Sequence, residues 1–178
     1  MKKYFELAII LFLSSLNYGA TASFESKIAI VDIQSVLDNS IAIADIKKSI
    51  GILGTELTKD INVKENELKK SEEELLKKKT YMSEDAFEKE ANIFNQKVGE
   101  AQKEIQHRKN KIYNVEHKAI GKVDEATKDI ITQLVKKYNI EVVLFSSQVL
   151  FAAERLNITS EVIALLNNKL KTVKLNIE

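Results

Sequence analysis

The stretch Phe87-EKEANIFNQKVGEAQKEIQHRKNKIYNVEHKAIGKVDE-Ala126 decides the architecture of this chain. Counting from Phe87 in alternating steps of four and three residues reaches twelve positions, and ten of them are apolar. Most residues between these positions are Lys, Glu, Gln, Asn or Asp. An apolar stripe that holds this spacing for more than five heptads predicts a coiled-coil seam, because a period near 3.5 keeps one narrow stripe facing a partner helix. Arg108 and Lys122 interrupt the stripe, and their long aliphatic stems can lie along it.

The composition agrees with long helices. The chain has 178 residues, 30% of them charged, with no Pro, Cys or Trp. Proline costs about 3 kcal/mol in a helix interior, so its complete absence permits helices of many turns. The absence of Cys excludes disulfides, thiolate chemistry and Cys-based zinc sites.

The N-terminus has the pattern of a secretory signal peptide over residues 1–22. Lys2 and Lys3 precede an apolar run, Leu7–Leu16, and Ala20-Thr21-Ala22 offers an A-x-A cleavage site. The run is too short for a membrane span, which needs about 20 apolar residues. An uncleaved N-terminal anchor is the alternative. We therefore expect a mature chain that begins at Ser23.

Cleavage at this site would leave a mature chain of 25 basic and 25 acidic residues, since residues 1–22 contain two Lys and one Glu. A formal net charge of zero gives no general attraction to nucleic acid or to anionic membranes. No later segment is apolar enough to span a bilayer. We expect a soluble protein in an exported compartment, most simply a bacterial periplasm.

A second apolar stripe precedes the first and predicts its partner. Residues 35–80 repeat apolar positions at helical spacing, and residues 84–138 form the second helix, which Ser83 can cap. A short break at about 80–84 should fold them into an antiparallel hairpin that projects as an arm. The expected seam consists of Ile46, Ile50, Leu53, Leu57, Leu68, Leu75, Phe87, Phe94, Val98, Ile105, Ile112 and Val115.

Both ends of the arm return to one small base, residues 23–34 and 139–178. Ser26–Ile33 is typical of a strand, Ile140–Phe145 and Val149–Ala153 predict a β-hairpin, and a last helix should be capped by Thr159 or Ser160. So small a β-rich piece buries too little surface to be stable alone, which predicts oligomerisation. The expected oligomer core is Ile28, Ile30, Val31, Val142, Val143, Leu144, Phe145, Val149, Leu150 and Phe151. The fold class is α+β: a small β-rich oligomerisation base with a long antiparallel coiled-coil hairpin.

The residues offer no catalytic or cofactor motif. His107 and His117 are ten positions apart, which is not the spacing of a metal pair on a helix. There is no Gly-rich phosphate loop and no nucleophile motif. The basic residues of the stretch 103–111 are interleaved with acids, so nucleic-acid binding is not favoured. We expect neither an enzyme nor a bound cofactor or metal.

The order of elements and three local matches resemble the Skp/OmpH family of periplasmic chaperones for outer-membrane proteins. Lys27–Asp32 (KIAIVD) is similar to the family's opening strand, Tyr138–Leu144 (YNIEVVL) with Val149–Phe151 to its closing hairpin, and Asn157–Val162 (NITSEV) to its final helix start. The resemblance implies a homotrimer whose three arms enclose a cavity. It also implies ATP-independent holding of unfolded outer-membrane β-barrel proteins in transit.

One feature departs from the family pattern of positive charge near the arm tips. Residues 81–92 contain four acids, Glu84, Asp85, Glu88 and Glu90, against Lys89. Contact of the tips with lipopolysaccharide or an anionic membrane is therefore not carried over to this chain. The alternative function is a structural coiled-coil spacer or adaptor in the bacterial cell envelope.

Overall fold

The computed structural model of the protein describes residues 27–176, so the predicted signal peptide lies outside the described residues. Its elements, in chain order, are strand β1 (Ile28–Val31), helices α1 (Ile33–Asp38), α2 (Ile41–Lys78) and α3 (Glu84–Tyr138), strand β2 (Val142–Phe145) and helix α4 (Thr159–Lys169). Short 3₁₀ turns occupy Ser146–Gln148 and Glu154–Leu156. A long helical hairpin thus projects from a small base with a strand pair, which confirms the predicted fold class.

The arm consists of α2 and α3 packed antiparallel. Cross-helix ion pairs show the register, since Asp60 faces Arg108 and Lys78 faces Glu90 nearer the tip. At 1.5 Å per residue, the 38 residues of α2 extend about 57 Å and the 55 residues of α3 about 82 Å. Helices of this length make the arm the largest part of the described chain.

The predicted seam residues are all at least partly buried. Ile46, Leu57 and Val115 are buried, and the other nine predicted seam residues are partly buried. Lys64 and Ser71 also occupy partly buried positions on α2, so polar side chains share the middle of the seam. The arm is consequently held by a narrow contact along its shaft, with most side chains of each helix facing solvent.

Near the base the buried stripe of α3 leaves the predicted heptads. Lys122 is exposed, whereas Val123, Thr127, Ile130 and Leu134 are buried. Ile112, Val123 and Leu134 are eleven residues apart, a spacing of about 3.67 per turn that stays on one face of a nearly straight helix. Beyond Ala119 the buried stripe departs from the heptad count at Lys122, although Ala126 still packs against the core. The departure arises because this part of α3 packs against the base as well as against α2.

The ends of the helices follow local capping chemistry. Ser83 Oγ accepts a hydrogen bond from the Ala86 N–H at 3.4 Å, as predicted, and opens α3. Asn139 ends α3 in the left-handed conformation, with φ 50° and ψ 46°. The predicted first helix is divided in two, because Asn39 ends α1 and Ser40 caps α2 by accepting from the Ile43 N–H at 3.3 Å.

The sheet is parallel and contains two strands. β1 pairs with β2 in a register that joins Ile28 to Val142 and Val31 to Phe145. On its other edge, β1 forms an isolated bridge from Ile30 to Asn157. The predicted hairpin is wrong, because residues 149–153 are extended chain without a strand partner in the described protomer. Their apolar run could not be told from a strand by periodicity.

The core of the base brings together all the described elements. Val36 from α1, Ile46 from α2, Val123 from α3 and Val162 from α4 are among its fully buried side chains. Val173 in the C-terminal segment joins the same core. Small though it is, the base therefore has a continuous apolar interior into which the arm is rooted.

The start of α4 differs from the predicted cap. Thr159 Oγ1 accepts a hydrogen bond from the Asp32 N–H at 2.9 Å, so it ties α4 to the end of β1. Asn157 Oδ1 instead accepts from the Thr159 N–H at 3.0 Å. Asp32 is the predicted turn residue, since its side chain caps α1 by accepting from the Ser35 N–H at 2.9 Å.

Candidate functional site

The largest exposed apolar side chains of the base follow β2. Leu150 is fully exposed and Phe151 is 88% exposed, while Val142 and Phe145 on β2 itself also face solvent. The outer edge of β2 has no strand partner among residues 27–176. An unpaired strand edge beside exposed apolar side chains is a surface that proteins normally cover with another chain.

The residues predicted for an oligomer core divide into two groups. Ile30 and Val31 are buried within their own protomer, where Val31 belongs to the core of the base. Five positions are exposed: Ile28, Val142, Phe145, Leu150 and Phe151. The remaining three are partly buried: Val143, Leu144 and Val149. The exposed members all lie on β1, on β2 or just after it, so the strand pair brings them to one end of the molecule.

A shallow groove of about 700 Å³ adjoins the other side of β1. Three segments of the chain form its walls, which consist of Lys27, Ile28, Ala29, Tyr138, Ile140, Arg155, Leu156, Asn157, Ile158 and Glu161. The groove is open to solvent. Its lining residues do not form a converging set of catalytic groups.

A charged cluster fixes one wall of this groove. Lys137 Nζ donates to Glu161 Oε1 at 3.0 Å and to the Tyr138 hydroxyl at 2.7 Å, and that hydroxyl donates to Glu161 Oε1 at 2.9 Å. The hydrogen bond from Lys137 lowers the pKa of Glu161, and the bond from Tyr138 adds to this effect. Hydrogen bonds to Tyr138 and Glu161 raise the pKa of Lys137. The cluster joins the last turn of α3 to α4.

Apolar side chains on the arm are scattered along solvent-facing positions. Ile52, Val63, Leu76, Ile93 and Tyr113 are all largely exposed. They are separated by charged residues, so each offers a small apolar contact within a polar surface. The arm therefore presents many dispersed sites along its length and no enclosed pocket for a small molecule.

Residues 27–176 contain no group of three His, Cys, Asp or Glu side chains that could hold a metal ion. His107 and His117 both face solvent on α3, and the His117 ring lies 6.3 Å from that of Tyr113. Within the same part of the chain, none of the helices combines the length and apolarity needed to cross a membrane.

The family model for OmpH-like outer membrane proteins matches residues 27–166, from the first strand through most of α4. The chain belongs to the OmpH-like family. A crystal structure of an OmpH-like protein from Caulobacter crescentus CB15, provisionally assigned as an outer membrane chaperone, has the same fold. The two share 21% sequence identity and a TM-score of 0.76, over 85% of this chain and 89% of that one. No curated protein sequence matches the chain significantly.

Membership of the OmpH-like family indicates the general class of protein to which this chain belongs. It is a family of non-enzymatic, periplasmic chaperones of outer membrane proteins. The resemblance noted from the opening strand and the final helix start is thereby confirmed. The sequence did not place the groove beside β1, because its walls come from segments more than a hundred residues apart.

Proposed function

We propose that this OmpH-like protein is an ATP-independent holdase of the periplasm, which binds unfolded outer-membrane β-barrel proteins and prevents their aggregation. The observation that carries the proposal is the arm: two long helices that leave a small base and expose dispersed apolar side chains among charges. Such a surface suits many weak contacts with an extended chain. It has no nucleotide-binding motif, in keeping with a compartment that lacks ATP.

The proposal includes a homotrimer held by the base. The unpaired edge of β2, with exposed Phe145, Leu150 and Phe151, supports assembly of copies of this chain through this surface. A two-stranded sheet is marginal alone and gains most from added strands. The number three comes from the family resemblance. Three arms leaving one base on the same side would surround a space in which a client is kept from its neighbours.

A light-scattering experiment tests the holding activity. Urea-unfolded porin is diluted into buffer with and without the purified mature protein, and aggregation is followed with time. We expect suppression near one trimer per porin, with no effect of added ATP. Equal aggregation in both samples would refute the proposal. A pull-down that returned one stoichiometric envelope component, with no preference for unfolded chains, would support a structural spacer instead.

Native mass measurement tests the assembly. The mature protein should have the mass of three chains, and the double variant Leu150→Asp, Phe151→Asp should be monomeric because it places charges on the apolar surface of the base. The matched control, Leu150→Met with Phe151→Leu, keeps the surface apolar and should remain trimeric. A monomeric or dimeric wild-type protein would contradict this part of the proposal.

A further inference from the structure

A groove of about 440 Å³ lies along the base-proximal part of α3 and is separate from the surfaces described above. Its walls are predominantly basic and amide-bearing and consist of His107, Asn110, Lys111, Asn114, Val115, Lys118, Ala119, Lys122, Lys174 and Asn176. Four of these ten residues are lysines, three are asparagines and none is acidic. The groove is therefore strongly basic, although the chain as a whole is almost neutral.

Two distant segments build this groove. Lys111, Lys118 and Lys122 are seven and four residues apart, so they project from the same side of α3. Lys174 comes from the C-terminal segment, in which Val173 is only 8% exposed and Leu175 packs against the core of the base. Burial of these two neighbours leaves Lys174 and Asn176 on the solvent side. The core thus holds the fourth lysine beside the three on α3.

The lysines of the groove have no acidic partner within residues 27–176. The ion pairs of this part of the chain join Asp60, Glu90, Asp124, Asp129 and Glu161 to cations outside the groove. Like charges held together repel one another, and a cleft of one sign concentrates ions of the opposite sign. The natural occupant of the groove is therefore an anion, and no carboxylate of residues 27–176 lines it.

The shape of the groove selects among anions. Lys111 and Lys122 are eleven residues apart, about 16 Å along the helix axis, which equals about five residues of extended polypeptide. A single phosphate group would reach one or two of the lysines. The asparagines offer both donors and acceptors, as a peptide backbone requires and a phosphate does not. We propose that this groove binds an extended acidic segment of an unfolded polypeptide.

This inference rests on the proposed function, and it assigns one part of the client to one part of the arm. Near the tip, four acids lie beside an equal number of lysines, so the tip has no comparable excess of positive charge: the acids are Glu84, Asp85, Glu88 and Glu90, and the lysines are Lys77, Lys78, Lys79 and Lys89. Acidic client segments would therefore bind at the lysine-rich groove in preference to the end of the arm.

Fluorescence anisotropy with a labelled Glu-rich decapeptide tests the assignment on the full mature protein. We expect saturable binding that weakens steeply with salt, and an affinity at least about tenfold lower in the Lys118→Glu, Lys174→Glu double variant, since two attractive charges become repulsive. The matched control, Lys69→Glu with Lys89→Glu, makes the same charge change on exposed arm positions and should bind like wild type. Circular dichroism verifies that both variants are folded.

Three results would overturn the assignment. One is equal peptide binding by wild type and the groove variant, and another is equally tight binding of a Gln decapeptide. The third is loss of binding to phosphatidylglycerol vesicles in the groove variant while peptide binding is unchanged, which would assign the groove to a lipid headgroup. The porin assay separates the two proposals. Suppression of aggregation without peptide binding would support the holdase proposal and refute the assignment of the groove. Peptide binding without suppression would support the assignment of the groove and refute the holdase proposal.

Discussion

Arg108 on α3 donates a hydrogen bond from Nη2 to Oδ2 of Asp60 on α2, and these two atoms are 2.6 Å apart. The pair lies where the heptad pattern of α3 places a charge in the seam. The Arg108 stem can lie over the apolar contact while its guanidinium meets the carboxylate at the edge. A position that interrupts the apolar stripe thus becomes a polar link between the helices.

This ion pair should add little to stability, because both side chains are roughly half exposed and water screens their attraction. We expect Asp60→Asn to lower the free energy of unfolding by less than about 1 kcal/mol. The difference should vanish in about 1 M NaCl, where the screening length is about 3 Å. Urea unfolding at fixed protein concentration measures it. A loss that persists at high salt would show that the pair acts by more than charge.

Stability should be concentrated at the root of the arm. Leu134 is 1% exposed and belongs to the core of the base, whereas Leu76 near the tip is 56% exposed. We expect Leu134→Ala to cost about 2–5 kcal/mol, as is usual for deletion of a buried leucine. The matched change Leu76→Ala should cost less than about 0.5 kcal/mol, as for a surface site. Equal losses in urea unfolding would contradict this distribution of stability.

Asn139 tests the C-terminal end of α3. Its φ of 50° lies in the left-handed region, which glycine adopts at no cost and β-branched residues avoid. We expect Asn139→Gly to leave the thermal midpoint unchanged or raised. Asn139→Val should cost about 1–2 kcal/mol, the usual penalty for that conformation. If the valine variant melts like wild type, the left-handed end of α3 is not populated in solution.

Thr159 tests the link between β1 and α4. Its hydroxyl accepts from the Asp32 N–H, and Thr159 is itself buried. Thr159→Val preserves the shape but removes the acceptor, so it should cost about 1–3 kcal/mol, the penalty for an unsatisfied buried donor. Thr159→Ser keeps the hydroxyl and should retain most of the stability. The comparison fails if serine and valine destabilise the protein equally.

Glu161 should make the contact between α3 and α4 sensitive to acid. Its pKa in the folded protein lies below the ordinary 4.5, so the contact contributes above pH 4.5 and is lost as the pH falls through the lowered value. For Lys137 the pH dependence is opposite: its pKa is raised, so the contact is present below pH 10.5 and is lost as the pH rises through the raised value. An NMR titration should find the pKa of Glu161 depressed in wild type and nearer normal in Lys137→Met. An unchanged value in the variant would exclude Lys137 as the cause.

Local chemistry predicted the long helix well. A serine before acidic residues marked the start of α3, and basic residues before Asn139 marked its end, because capping depends on groups within one turn. Every position of the heptad count from Phe87 to Ala119 is buried or partly buried. Beyond that point the base packs on α3, and Val123 replaces Lys122 in the buried stripe. A count along one helix could not reveal that change of partner.

Contacts between residues that are distant in sequence could not be predicted from local patterns. The apolar runs at 140–145 and 149–153 looked like a hairpin, yet β2 pairs with β1 in parallel. Nothing local distinguishes those two pairings, because both satisfy the same alternation of side chains. Likewise, Lys174 could not be placed beside Lys122 before the C-terminal segment was seen to pack on the core. The candidate groove therefore emerged from the structure alone.

The parallel pairing of β1 with β2 has a consequence for how the chain folds. Ile28 and Val142 are partners in the register, yet 114 positions separate them, and the entire arm forms the connection. Closing so long a loop from a disordered chain is entropically costly and slow. A hairpin that nucleates at its turn and zips toward the base needs only neighbouring contacts at every step. We therefore expect the tip to form first and the sheet last, because folding of the arm brings the two strands close together.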